Sequence, residues 1–366
     1  MKELPYIFKR LRETKILENY SYMTALTVCS SLIGIVIYPI VIRRLGMEQY
    51  GLYAFLLAVV AYFQGVIEWG MTLPAAKEAA NNRDNPLALS HLFSAVTAAR
   101  SLLAVAAAGI AVLLTMFIPV LQTNRTLFYV LLLQCIVPIL FPDWYFQGVQ
   151  KMKVVTFINL FFRLLQLPFV LWLVRSADDL LVYALIGTLS MVLGAVAAYG
   201  YVWRDKVRLT RVGTADLRYW FRQGTPFFLT NLTGIAKEKI LVHWIGVAFG
   251  MSEVALYDLA TKVVHIPRMF TQSINTALFP RVVEQPTPAR VKHILHYERL
   301  IGVIVMGLVI AFGYPVILVL GGQAMTAAYG ATGILSVSIY TWLVVGAYLQ
   351  FVFVPNNKYR YVLYNQ

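Results

Sequence analysis

Apolar runs of twenty or more residues recur along the chain, and short polar stretches separate them. They cover about 20–42, 51–73, 88–118, 127–149, 154–174, 180–203, 225–247, 254–280, 300–320 and 331–354. A helix rises ~1.5 Å per residue and a bilayer's hydrocarbon core is ~30 Å thick, so each run is long enough to cross it. The pattern predicts an all-α, polytopic membrane protein with about ten spans. Ahead of the first run, Leu4, Phe8 and Leu11 share one helix face, with Lys9, Arg12 and Glu13 elsewhere. Residues 1–19 therefore read as an amphipathic segment lying at the membrane surface.

Composition agrees with that class. Apolar residues make up 59% of the 366, charged residues 13%, and the mean hydropathy is +0.68. A soluble domain carries about 25% charged residues. The same figures exclude a disordered, collagenous or disulfide-scaffold protein. Cys29 and Cys135 both fall within apolar runs and read as small core hydrophobes. A net charge of +14 would suggest nucleic acid in a soluble protein. Here the distribution of the basic residues gives a membrane reason, and no nucleic-acid partner is expected. With the N-terminus in the cytoplasm, 21 of the 31 Lys and Arg fall in inside segments, four in outside loops and six within spans. This is the bias expected of cytoplasmic loops, and it places both ends of the ten-span chain inside. The first run is too long for a signal-peptide core and no small-residue cleavage site follows it, so it reads as a retained span.

The two halves are related. LGMEQYGLYAF (45–55) aligns with FGMSEVALYDL (249–259) at an offset of 204, pairing Gly46 with Gly250, Met47 with Met251, Leu52 with Leu256 and Tyr53 with Tyr257. The offset crosses six spans, an even number, so the repeats share one orientation. A pseudo-twofold axis would then run along the membrane normal, with substrate between the halves. The expected division is the interfacial segment 1–19, an N-terminal six-helix bundle 20–203, a basic cytoplasmic linker 204–222 and a C-terminal bundle 223–366.

The stretch NYSYMTALTVCSSLIGIVIYPIVIRRLGMEQYGLYAF (19–55) resembles the opening of bacterial polysaccharide-transporter flippases. EWGMTLPAAKEAA (68–80), PDWYFQGVQKMK (142–153) and ALFPRV (277–282) are similar to other parts of that family. It lies within the multidrug/oligosaccharidyl-lipid/polysaccharide exporter superfamily. The resemblance implies two six-helix bundles in the cytoplasmic (inner) membrane and no enzymatic activity. It implies translocation of a polyprenyl-diphosphate-linked oligosaccharide between leaflets by alternating access, for O-antigen or capsule synthesis. Its partners would be that lipid-linked glycan, membrane lipids, and a glycan polymerase with other polysaccharide assembly proteins. Family members usually have at least twelve spans, so the second bundle is expected to be incomplete over 223–366.

Candidate chemistry lies in the charges at membrane depth, because such residues are costly in hydrocarbon and usually face a cavity or a partner. The basic ones are Arg100, Arg163, Lys237, Lys239, Lys262 and Arg268; the acidic ones are Glu68, Asp143, Glu238 and Asp258. Helical spacing puts Asp258, Lys262 and His265 on one face, Asn159, Arg163 and Gln166 on another, Thr97 with Arg100, and Lys239 with His243. A cationic, wet cavity suits a diphosphate, which takes charge-assisted hydrogen bonds from guanidinium and ammonium groups. The expected substrate-binding residues are Arg100, Asn159, Arg163, Lys239, Lys262 and Arg268, with Glu238 and Asp258 for ion coupling. The plainer reading of Asp258 and Lys262 is a structural ion pair at i, i+4. Gly246 and Gly250 form a GxxxG for close helix approach. Trp69, Trp144 and Trp203 read as an interfacial belt. His293 with His296 reads as a solvated helix face, and Asp178-Asp179 as a polar cap. No phosphate-binding Gly loop, paired-Cys motif or nucleophile elbow appears, so no cofactor and no metal are expected.

Two other functions compete. A multidrug-type antiporter for cationic drugs would want an acidic pocket, whereas the interior is net basic. A glycan polymerase or glycosyltransferase would need acids or bases on a sizeable surface loop, and the long loops here are basic. The topology has a direct test. A cysteine placed at 323 should react with an impermeant thiol reagent added outside, and one at 213 should not; the opposite pattern overturns the orientation.

Overall fold

The computed structural model describes residues 15–284, 288–348 and 352. Most of the expected interfacial segment 1–19 and the tail after Pro355 lie outside those residues, as do the side chains of the ALFPRV motif. Every described element is helical: α1 (Lys15–Glu68), α2 (Thr72–Asn81), α3 (Pro86–Phe117), α4 (Pro119–Thr123), α5 (Arg125–Leu132), α6 (Val137–Leu140), α7 (Asp143–Gly148), α8 (Met152–Leu173), α9 (Leu180–Arg204), α10 (Thr214–Ala248), α11 (Met251–Glu284), α12 (Pro288–Gly321) and α13 (Ala328–Tyr348). Helices occupy each expected apolar segment. By length and composition, seven stretches among the described residues suit a membrane crossing. Neither α10 nor α11 is among them. Both carry charged residues at membrane depth, Lys237, Glu238 and Lys239 in α10 and Asp258, Lys262 and Arg268 in α11.

Glycine breaks the first long element. α1 is a hairpin of two helical legs, split at Gly46 (φ 78°, ψ 167°), a backbone conformation that side chains resist. Its repeat partner Gly250 (φ 104°) makes the turn between α10 and α11. Gly250 therefore ends a helix instead of forming a GxxxG face with Gly246, because a positive φ leaves the helical ladder.

The 127–149 run differs from the single span expected. It is divided into α5, a 3₁₀ turn at Leu133–Ile136, α6 and α7, with extended backbone at Phe141. Pro138 and Pro142 are the physical reason, since neither can donate to a helical ladder.

The chain forms two compact units. One contains Met1–Ile37 and Phe55–Leu241; the other contains Tyr38–Ala54 and Val242–Gln366. In the first, α2 packs on α7, α8 on α9, and α9 on the broken α5–α6 segment. Gly148 lies against the backbone of Ala76 and Ala80, so the sequences 68–80 and 142–153 meet each other directly. Trp144 is 1% exposed and joins this core with Phe93, Tyr145 and Phe146, so it is no belt residue. Trp69 (φ 45°) stacks on Phe228 of α10 at 4.1 Å and donates to Thr225 Oγ1 at 3.3 Å. Beneath it Gly70 and Gly224 bring two backbones together without room for a Cβ.

The connection after α9 is pinned as well. Val207 is fully buried, and the backbone N–H groups of Arg208 and Thr210 donate to Ser90 Oγ (3.0 Å) and Ser94 Oγ (2.8 Å) of α3. Asp205 accepts from Lys151 Nζ at 2.6 Å and from Tyr145 Oη at 3.0 Å.

In the second unit α12 and α13 pair along their lengths and α11 packs on α13. Gly302 faces Tyr340, Gly313 faces Tyr329, and Gly321 sits between Leu259 and Met325. The 45–55 and 249–259 segments touch here: any Cβ at Gly51 would collide with the Met251 carbonyl. Overpacking of this kind costs about 1–3 kcal/mol. Gly51→Val and Gly224→Val should therefore each lower the midpoint of heat-induced loss of the monodisperse peak in detergent. Gly109→Val, where nothing lies within 4 Å, should leave it unchanged.

Candidate functional site

In an α-helix each carbonyl accepts from the N–H four residues on. Pro138 would look to residue 142, which is also proline and has no N–H. Its carbonyl is thus an orphan at membrane depth. Arg100 of α3 fills the gap: Nη1 donates to the Pro138 carbonyl at 2.5 Å and Nη2 to Thr72 Oγ1 at 3.0 Å. The residue is 2% exposed, and the charges of Asp143 and Glu68 reach its guanidinium. Arg100 thus ties α3, the broken segment and α2 together inside the first unit.

The other charges of the first unit stand differently. Arg163 is exposed midway along α8, while Asn159, one turn before it, is half-buried and donates to the Val155 carbonyl at 3.0 Å. On α10, Thr230, Thr233 and Lys237 share a face at i, i+3 and i+7, and all three are exposed. The two hydroxyls donate to carbonyls of their own helix, Pro226 and Leu229. Among the described residues Lys237 and Glu238 have no hydrogen-bond or ion-pair partner; Lys239 is half-buried and does engage one. The face that carries Lys237 turns apolar farther along, at Ile240 and Trp244, also exposed. Along this face the polar positions therefore precede the apolar ones.

In the second unit Asp258 and Lys262 of α11 form an ion pair. Tyr50 completes it, donating from Oη to Asp258 at 2.8 Å and accepting from Lys262 Nζ at 3.0 Å. The ammonium also sits over the rings of Tyr38 (4.8 Å) and Tyr50 (5.5 Å), which meet edge to face at 5.1 Å. Arg268 donates to the Ser338 carbonyl at 3.3 Å and lies over the Trp342 ring at 5.7 Å. Of the eight residues singled out from sequence, the structure pairs Asp258 with Lys262. Arg100 it turns toward a backbone carbonyl. The spacing of Pro138 and Pro142 was the available signal for Arg100; Tyr38 and Tyr50 carry no sequence signal as cation partners.

Among the described residues no group of three His, Cys, Asp or Glu is placed to hold a metal ion. Asp179 accepts from the backbone N–H groups of Arg175 and Ser176 and closes the 3₁₀ turn Ala177–Asp179 that precedes α9.

A fold of this kind, many long helices in two units with charges at membrane depth, is that of a multi-pass membrane transporter. Residues 16–285 match the polysaccharide biosynthesis protein family, and the chain belongs to it. It is 22% identical over 281 residues to a protein of Escherichia coli (strain K12) provisionally named an O-antigen transporter, across 76% of this chain and 67% of that one. It shares its fold, at a TM-score of 0.61 and 15% identity, with a solved inward-facing structure of a multidrug resistance MATE family transporter of the MOP superfamily. That match covers 91% of this chain and 83% of the other.

Removing Arg100 would leave the Pro138 carbonyl unsatisfied, a loss of about 1–3 kcal/mol. Arg100→Met should lower both the membrane yield and the thermal midpoint, whereas Lys237→Met should leave both as they are. Equal behaviour of the two variants would remove the structural assignment of Arg100.

Proposed function

We propose that the protein is a transporter, not an enzyme, and moves a polyprenyl-diphosphate-linked oligosaccharide from the inner to the outer leaflet of the cytoplasmic membrane, by alternating access of its two halves. Membership of the polysaccharide biosynthesis family and the name of the similar Escherichia coli protein support the substrate class. The observation that carries the reading is the exposed Thr230–Thr233–Lys237 stripe. It sets two hydroxyl oxygens and an unpaired ammonium on one face near the middle of α10. Arg163, exposed at mid-helix, adds a second cation. A diphosphate needs such charge-assisted donors, and sugar hydroxyls can donate to the threonine oxygens beside them. The lipid tail stays in the bilayer throughout. Glu238, exposed beside Lys237, is the carboxylate we assign to ion coupling. A drug antiporter has in its favour the MATE fold, but a cationic drug would be repelled by the same side chains.

A charge-assisted hydrogen bond is worth ~1.5–3 kcal/mol, so its loss should cost about tenfold or more in transport. Lys237→Ala and Arg163→Ala should each cut surface display of a defined glycan to that extent in a flippase-deficient strain, with membrane protein level unchanged. Full display in both variants would reject the diphosphate-binding role.

A further inference from the structure

The turn of the α1 hairpin groups with a different unit from its legs. Residues up to Ile37 and from Phe55 belong to the first unit, and Tyr38–Ala54 to the second. Four fastenings hold the turn within the second unit. Gly51 lies directly on the Met251 carbonyl. Arg43 Nη2 donates to the Val319 carbonyl at 2.8 Å. Tyr38 Oη reaches Met325 Sδ at 4.0 Å. Tyr50 closes the Asp258–Lys262 pair, whose ammonium the two tyrosine rings cage.

Chain continuity gives this arrangement a consequence. If the two units move relative to one another, either both legs of α1 bend beside the turn or the fastenings part. The first leg has Pro39 as a weak point. The second leg crosses between units at Ala54–Phe55, in unbroken helix that has no proline to yield. Backbone hydrogen bonds in hydrocarbon have no water to replace them, so bending there is opposed. Apart from the Gly51 contact the fastenings are side-chain bonds, which can part without unmaking a helix.

We propose that Tyr38, Tyr50, Asp258 and Lys262 form a releasable clasp. Closed, it holds the 38–54 turn onto the second unit; parted, it lets the turn leave that unit. In the closed form Lys262 Nζ is committed to Asp258, Tyr50 and the two rings, while its side chain stays 42% exposed. The proposal rests on the alternating-access reading and on a cytoplasmic N-terminus.

The test uses full-length protein carrying Cys29→Ala and Cys135→Ala, with Met325→Cys as reporter, since Met325 is fully buried and Tyr38 lies against it. A second reporter, Ala184→Cys, sits fully buried in the first unit. An impermeant maleimide is added outside intact cells. Asp258→Asn and Tyr50→Phe should each speed labelling at 325 by about tenfold and leave 184 protected. No change at 325 in either variant overturns the clasp. A joint rise at 325 and 184 also overturns it, because the network would then be a general staple of the fold. Glycan display in the same cells bears on the transport reading alone, so the two can fail separately.

Discussion

Hydrocarbon offers no hydrogen bonds, so every backbone carbonyl and N–H at membrane depth needs a partner from the protein itself. The segment 125–148 violates the easiest solution, an unbroken helix, because Pro138 and Pro142 stand four residues apart. Arg100 restores the balance by donating to the Pro138 carbonyl. The cost is a buried cation, only 2% exposed. One backbone defect thus accounts for an arginine that would otherwise look functional. It also accounts for the joining of α3, α2 and the broken segment into one core.

The charges at membrane depth divide by whether the protein neutralises them. Arg100 and Lys262 are met by carboxylates, hydroxyls, a carbonyl and aromatic rings inside their own units. Lys237 and Arg163 stand exposed on helices α10 and α8. A satisfied charge contributes to packing and its geometry is fixed. Lys237, without a hydrogen-bond or ion-pair partner among the described residues, keeps its donors for a ligand, and an exposed charge at that depth is costly unless water or an anion reaches it.

Much of the fold was legible in the sequence because the length of an apolar run is dictated by bilayer thickness, and helices fall on the expected segments. Less was legible wherever the outcome depends on what a helix face meets. Spacing correctly put Asp258 and Lys262 on one face, and left open whether substrate or an ion pair would satisfy them. It put Arg100 beside Thr97 on α3 and could not show the Pro138 carbonyl opposite. Trp144 looked interfacial by position, yet tertiary packing buries it against Phe93. Gly250 matched a helix-packing motif by spacing while its backbone makes a turn. For Asp258, Arg100 and Trp144 a long-range neighbour decides, and a local pattern contains no information about it.

The stretch that follows α9 looks from composition like a loose, basic tether. Its backbone is instead committed to the two serine hydroxyls of α3, with Val207 sunk beneath. A connector fastened in this way transmits displacement instead of absorbing it. Lengthening it before Gly213 would disturb the first unit, to which the chain belongs as far as Leu241. Its Arg208 is held as well, with Nη1 donating to the Trp203 carbonyl at 2.6 Å, so the charge it carries is a fixed part of that unit's surface.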